Sequence, residues 1–267
     1  MATNIPDYVS VKKIFGDRST IGSDELIRVL KEIAPALFAD EGTGKLLLER
    51  AGCCGDQAEV DAFLRWVFNA PPTEIFLCRH GETDWNLDHK LQGHTDIPLN
   101  DAGREQAQCI AEALQSKQLA AVWASPLLRA KDTAAVVAEA AGVPLQVDER
   151  LKERNLGVME GRTGKEIEKE YPSVWSAWNA MLEMPPESLC EPEASVIARV
   201  EAALFDLAAA YPGKSVAVVA HGAVLRCLCK QKFSNASITT LSFGPDKSWQ
   251  VVNLDDTSHL KTPGLKV

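Results

Sequence analysis

After Pro71-Pro72 the chain settles into an alternation of short apolar runs and longer amphipathic stretches. Runs at 75–78, 121–124, 145–147, 216–220, 238–243 and 249–254 have the length and β-branched content of buried strands. Between them, 101–116, 127–141, 164–171, 195–210 and 222–230 carry helical spacing. Asn100 and Ser125-Pro126 read as helix starts, the latter with proline at the first helical position. Strands that alternate with helices need crossover connections. The expected fold class is therefore α/β, with a mainly parallel sheet covered by helices on both faces.

Residues 1–70 read differently. Leu26, Val29, Leu30, Ile33 and Leu37 recur at helical spacing behind Ser23, and Val60, Phe63, Leu64, Val67 and Phe68 repeat the pattern. A small all-α domain is expected here, with the boundary at the paired prolines and a second domain over 71–267. Its helix–loop–helix rhythm looks like a degenerate pair of EF-hands; a plain helical bundle is the other reading. In the first loop Ile21 and Glu25 stand at the central apolar and final glutamate positions, but Ile14, Gly16 and Arg18 replace oxygen ligands. In the second, Ala51 and Cys53 sit where acids belong. Calcium needs six to eight oxygens, so neither loop should bind it well. The unit is better suited to holding a protein partner than to catalysis.

A net charge of −9 argues against nucleic-acid binding. No apolar run is long enough to span a membrane. The N-terminus lacks a signal-peptide core and a transit-peptide pattern, so a cytoplasmic protein is expected. The 7 cysteines are scattered and odd in number, which fits reduced thiols rather than a disulfide framework or a zinc site. No metal and no cofactor is implied: there is no helix-spaced histidine pair, phosphate loop or dinucleotide fingerprint.

The first apolar run ends in Arg79-His80-Gly81. That places an imidazole at the carboxyl edge of the sheet, where ligands bind in open α/β folds. Gly81 is expected to let the backbone turn sharply, and Arg79 to set a forked cation beside the ring. Further along come Gln92-Gly93-His94-Thr95-Asp96-Ile97-Pro98-Leu99, Ser125-Pro126-Leu127-Leu128-Arg129, Leu151-Lys152-Glu153-Arg154 and Val219-Ala220-His221-Gly222. In that order and spacing they resemble the histidine phosphatase superfamily, with its phosphoglycerate-mutase-like fold. The resemblance runs from about Glu74 to about Leu260.

The resemblance implies phosphoryl transfer to a histidine and then to an acceptor. His80 would be the nucleophile, since a neutral imidazole can attack phosphorus. Nearby cations should favour the uncharged ring. Arg79, Arg129 and His221 would balance charge on the transferring group. Gly222 opens a helix whose free backbone donors could face an anion. Glu153 would supply the proton for the leaving oxygen, ahead of Glu149, Glu160 and Glu166 as alternatives. Glu160 is better placed to fix the loop. Asn86, Thr83, Gln92 and Gly93 align with positions that contact or close over the phosphate, although each is also a good turn residue. Trp85 is expected to pack beneath the loop, and His89 and His94 to lie at the surface.

Hydrolysis, phosphoglycerate-mutase transfer and a non-catalytic scaffold all fit this core. The Gln92–Leu99 and Leu156–Thr163 segments look like the phosphatase branch, and the short stretch between Glu160-Gly161 and the 195–210 helix should leave water access. The expected function is a metal-independent phosphomonoesterase, acting on a small phosphorylated metabolite through phosphohistidine. One departure stands out. Pro185-Pro186-Glu187-Ser188 replaces the branch's Gly-Glu-Ser turn, which leaves lid shape and substrate choice open.

Overall fold

The computed structural model describes residues 8–16, 18, 20–33, 57–60, 63–64, 72–244 and 249–260. The chain divides into two compact units, one of Met1–Thr73 with Phe243–Gln250 and one of Glu74–Ser242 with Val251–Val267.

In the first unit, helix α1 (Tyr8–Phe15) and helix α2 (Ser23–Ile33) flank strand β1 (Thr20–Gly22). That strand pairs antiparallel with β2 (Gln57–Glu59), Ile21 lying opposite Ala58. Phe15, Ile21, Leu26, Leu30, Val60, Phe63 and Leu64 are buried. The ribbon corrects the all-α expectation: the described residues are mixed. Its strands, Thr20-Ile21-Gly22 and Gln57-Ala58-Glu59, carry one apolar residue each and so offer no apolar run to read. Ala51, Cys53, Leu37, Val67 and Phe68 lie outside the described residues.

The second unit carries the sheet, in the order β5 (Leu145–Val147), β4 (Leu119–Ala124), β6 (Ser215–Ala220), β3 (Thr73–Arg79), β7 (Ile238–Phe243) and β8 (Trp249–Asp256). The pairs β5–β4, β4–β6 and β6–β3 are parallel. Phe76, Cys78, Val122, Ala124, Ala217 and Val219 form one core with helices α4 (Asp101–Leu114) and α5 (Leu128–Ala141), through Ile110, Leu114, Ala134 and Val137. The intervening side chains Ile75, Leu77, Ala121, Val216 and Val218 are equally buried. Neither face of these strands meets water, which is why they read as continuous rather than alternating apolar runs. No helix among the described residues is long and apolar enough to cross a membrane.

All six expected strands are present, as are the five expected helices, which include α6 (Gly164–Glu170), α8 (Glu193–Ala210) and α9 (Gly222–Cys229). Two helices were not foreseen. One is a single turn, α3 (Asp84–Leu87), held by a capping box between Thr83 and Asn86. The other is α7 (Pro172–Asn179), whose signal is present in hindsight: proline at the first position, then Val174 and Trp178 four apart. Ser125-Pro126 is not the start of α5. That helix begins at Leu128, and its first backbone N–H donates to Asp96 Oδ1 (2.8 Å), a cap supplied from a distant loop.

Asn100 does cap α4, accepting from the Gly103 N–H (2.8 Å). Here the loop that follows His80 presses against the helix. A Cβ on Gly81 would overlap the Gly103 carbonyl, and one on Gly103 would overlap the Glu82 carbonyl. Gly81 is not among the glycines with positive φ. Its missing side chain is required for close approach to Gly103 rather than for a left-handed conformation. Both obstructions are backbone and cannot swing away. Gly103→Ala is therefore expected to destabilise the fold by about 1–3 kcal/mol, even though alanine is the better helix former by roughly 1 kcal/mol. A urea midpoint equal to wild type would show that the loop and helix can move apart.

Candidate active site

Strand register brings the two histidines together. Arg79 at the end of β3 lies opposite Ala220 at the end of β6. The next residues, His80 and His221, leave the sheet side by side, with ring centroids 5.3 Å apart and planes tilted by 57°. The backbone of His80 is still tied into the sheet, donating to Ala220 O (3.1 Å) and accepting from Ala236 N (3.1 Å). Its ring Nδ1 lies 2.7 Å from the Gly81 carbonyl oxygen. A carbonyl can only accept, so Nδ1 holds the proton and Nε2 presents a lone pair. Burial, then Arg129 and Arg79, hold the ring well below the usual histidine pKa, opposed by the bond to Gly81. His221 is 0% exposed, and neither ring nitrogen has a partner among the described residues. Burial and the same arginines keep it uncharged as well.

Arg129, on the first turn of α5, is also 0% exposed. Its Nη1 donates to Thr95 O (2.9 Å) and Nη2 to Gly93 O (2.8 Å). Arg79 Nη1 donates to Phe233 O (2.5 Å), and its Nε is buried without a partner among the described residues. Burial pushes the Arg79 pKa down to about 10. These cations are aimed by backbone carbonyls, and no carboxylate among the described residues bonds either of them directly.

Glu153 is 6% exposed. Its Oε1 accepts from Arg154 N (2.8 Å) and Val224 N (3.1 Å), and Oε2 from Ala223 N (3.2 Å). The first-turn donors of α9, expected to face an anion, are thus occupied by this carboxylate. Burial raises the Glu153 pKa against the opposing pull of Arg129 and the backbone donors. Of the alternatives, Glu149 is an exposed partner of Lys152, and Glu166 caps its own helix. Glu160 ties loops together: it accepts from His94 N (3.0 Å), Leu156 N (3.0 Å) and the Thr95 hydroxyl (3.1 Å).

A cavity of about 290 Å³ opens onto this group. Arg79, His80, Glu153, Asn86, Gln92 and Gly222 line it, while Arg129 and His221 lie fully buried. Thr83 is buried and engages Asn86 Oδ1 (3.0 Å), so it holds Asn86 in place. Gly93 serves through its carbonyl and through its φ of +52°, where a Cβ would overlap the Glu160 carboxylate. His94 is not a free surface residue: its Nε2 lies 2.7 Å from the Glu153 carbonyl oxygen.

Several participants escaped the sequence reading. Asn235 Nδ2 donates to Asn86 Oδ1 (3.1 Å) and reaches the carbonyls of His80 (3.3 Å) and Gly81 (3.4 Å). Arg199 on α8 donates to the carbonyls of Arg150 (2.7 Å), Lys152 (2.6 Å) and Glu153 (3.1 Å), and is itself bridged to Glu191 (2.7 Å). Trp175, Trp178 and Asn179 on the unforeseen helix α7 line the cavity, with Arg226, Lys232 and Phe233. No local pattern marks Asn235 or Arg199, because their partners lie far off in sequence.

The family model of the histidine phosphatase superfamily (branch 1) matches residues 75–257. Phosphoglycerate mutase-like protein 4 of Arabidopsis thaliana is 35% identical over 208 residues, covering 72% of this chain and 89% of its own. A metal-independent phosphoserine phosphatase of the same plant is 36% identical over 206 residues, covering 72% and 85%. Among solved structures, mycobacterial glucosyl-3-phosphoglycerate phosphatase aligns with a TM-score of 0.63 at 31% identity, over 69% of this chain and 99% of that one. With its paired histidines, buried arginines and matching sequence, this chain belongs to the histidine phosphatase superfamily, branch 1.

Proposed function

We propose that this protein is a metal-independent phosphomonoesterase that hydrolyses a small phosphorylated metabolite through a phosphohistidine. The observation that carries the reading is the His80 ring, fixed through Nδ1 and neutral, with the Nε2 lone pair at a cavity that Arg79 and Glu153 also line. Nε2 attacks phosphorus as the ester P–O bond breaks, and Glu153 delivers its proton to the departing oxygen. Arg79, Arg129 and His221 balance charge on the equatorial oxygens. Water then attacks phosphorus, Glu153 takes its proton, and the P–N bond breaks to return the lone pair to His80. Relatives that include a phosphoserine phosphatase and a glucosyl-3-phosphoglycerate phosphatase support hydrolysis of small phosphate esters. The short cover formed by α6 and α7 favours water as acceptor over the shielded transfer of a mutase.

We also infer that residues 1–70 are a separate, degenerate EF-hand-like unit that docks a protein partner, with the catalytic domain at 71–267. Two observations support this: the β1–β2 ribbon, and the Arg18–Glu25 ion pair (3.2 Å), which puts a cation among the would-be calcium ligands. A cytoplasmic location is part of the same reading, supported by the thiols of Cys78, Cys190, Cys227 and Cys229, which form no disulfide.

Phosphate release from alkyl phosphomonoesters without added metal is expected to vanish in His80→Ala, by at least about a thousandfold. Undiminished release would remove His80 from the chemistry. The pH profile follows from the two shifts. Activity needs His80 neutral and Glu153 protonated, a pair of states that the unperturbed residues would share in under about one molecule in a hundred at any pH. Lowering the His80 pKa extends activity toward acid, and raising the Glu153 pKa extends it toward neutrality. On the high-pH side kcat/KM should fall as Glu153 ionises, and Glu153→Gln should erase that limb; a limb that survives in the variant would assign it to another group. Arg199 positions the acid without touching substrate. Arg199→Met should lower kcat/KM for alkyl phosphates by about 10- to 100-fold, yet spare nitrophenyl phosphate, whose leaving group needs no proton. Equal losses on both esters would mean a merely structural role.

A further inference from the structure

We propose that Arg226 and Lys232 form a second anion site in the cavity, which takes a carboxylate or further phosphate carried on the body of the phosphomonoester. The proposal rests on the phosphatase reading and names the class of ester that the site selects.

The charges on the cavity wall do not balance. Arg79, Lys90, Arg226 and Lys232 line it against Glu153 alone among acids of the described residues. Arg79 stands beside His80 and belongs to the transferring phosphoryl group. Lys90 is committed to Asp88, 3.1 Å away. Arg226 and Lys232 remain, and neither has an ion pair among the described residues. Glu193, the acid nearest in influence to Arg226, is bonded to Lys230.

Arg226 is built into the wall. It projects from α9, five residues after His221, toward α7. Its guanidinium carbon lies 4.3 Å from the Trp178 ring centroid, and Nη2 donates to the Trp178 carbonyl. Stacking on an indole fixes a guanidinium in orientation and leaves its remaining N–H edge free for a planar or tetrahedral anion. A half-buried cation without a counter-charge is a cost to the fold, unless a ligand supplies the charge. Lys232 sits in the turn after α9, exposed, with a flexible stem that can follow anions of different length. Trp175 and Trp178 close the same wall and offer an apolar surface to the carbon body between the two anions.

The test uses the full chain and a graded series of phosphooxy carboxylic acids, each beside its carboxyl methyl ester. Wild type is expected to favour the free acid of best length by about 10- to 100-fold in kcat/KM, the range of a charge-assisted hydrogen bond. In the double variant Arg226→Met, Lys232→Met that ratio should fall to near one. Equal rates on acid and ester in wild type at every length would overturn the proposal, as would a preference that survives in the double variant. If the double variant fails to fold, Lys232→Met alone and the charge-retaining Arg226→Lys replace it. The first should lower the ratio severalfold and the second should largely keep it; the opposite order would overturn the proposal. If no compound releases phosphate, the phosphatase reading fails on its own. Calorimetric binding of each acid and its ester then decides the site: tighter binding of the acid in wild type, lost in Lys232→Met, supports it, and equal binding refutes it.

Discussion

The structure depends on keeping positive charge dry. Arg129 is fully buried, and no carboxylate bonds it among the described residues; its donors end on the carbonyls of Gly93 and Thr95. Desolvating a guanidinium costs several kcal/mol, even after relaxation. The surroundings answer in three ways. Both neighbouring histidines shed their protons, Glu153 lies within the field as a counter-charge, and a loop turns two carbonyls inward. What remains uncompensated is what a phosphoryl group would complete. On the proposed reading, the buried cations hold a charge balance that a phosphate dianion would complete.

That demand propagates outward through backbone. For its carbonyl to reach Arg129, residue 93 must adopt a left-handed conformation beside Glu160, which leaves glycine as the sterically free choice. Glu160 then gathers the amides of His94 and Leu156 and the Thr95 hydroxyl, and so couples the arginine-holding loop to the segment bearing Glu153. His94 and Arg199 both bond the Glu153 carbonyl, fixing the acid's backbone from two sides. The Glu191–Arg199 pair is largely withdrawn from solvent, each side chain 20% exposed. It is worth more as a clamp on carbonyls than as a surface ion pair. The cation and the acid are parts of one scaffold, so a change to either loop should disturb both.

How much of this could be read from sequence follows from how local each cause is. The central strands β3, β4 and β6 and the Arg79-His80 edge were legible, because a buried parallel strand declares itself in consecutive residues. The pairing of His80 with His221 was legible as proximity, since both end strands, but the register that makes them neighbours required the sheet. Ser125-Pro126 misled because the acceptor for α5 comes from Asp96, thirty-two residues earlier. The free donors of α9 were expected to greet an anion. In the fold they greet Glu153, a contact between residues about seventy apart. Gly81 was read as a turn residue; that it must also leave room for Gly103 was not legible, because space is what a sequence does not print. The N-terminal ribbon was invisible because Thr20-Ile21-Gly22 and Gln57-Ala58-Glu59 each carry a single apolar residue and form no apolar run.

The same distinction separates chemistry from selection within the site. His80, His221 and Arg129 are delivered by strand ends and by the first turn of a helix, places set by register and capping, and each is packed so that it has one position. The far wall is built otherwise. Trp175, Trp178 and Asn179 ride on α7, a two-turn helix packed through Val174 and Trp178 against Leu156, Met159, Ile167 and Ala223. Arg226 reaches across to hold that helix by its Trp178 ring and carbonyl. This link runs from α9, whose first turn holds the Glu153 carboxylate, to the cavity wall formed by α7. Changes in α7 can therefore reshape the cavity while the strand ends stay fixed. Arg226 is the point at which such changes would still be felt by the acid, because it and the amides that bind Glu153 belong to one short helix.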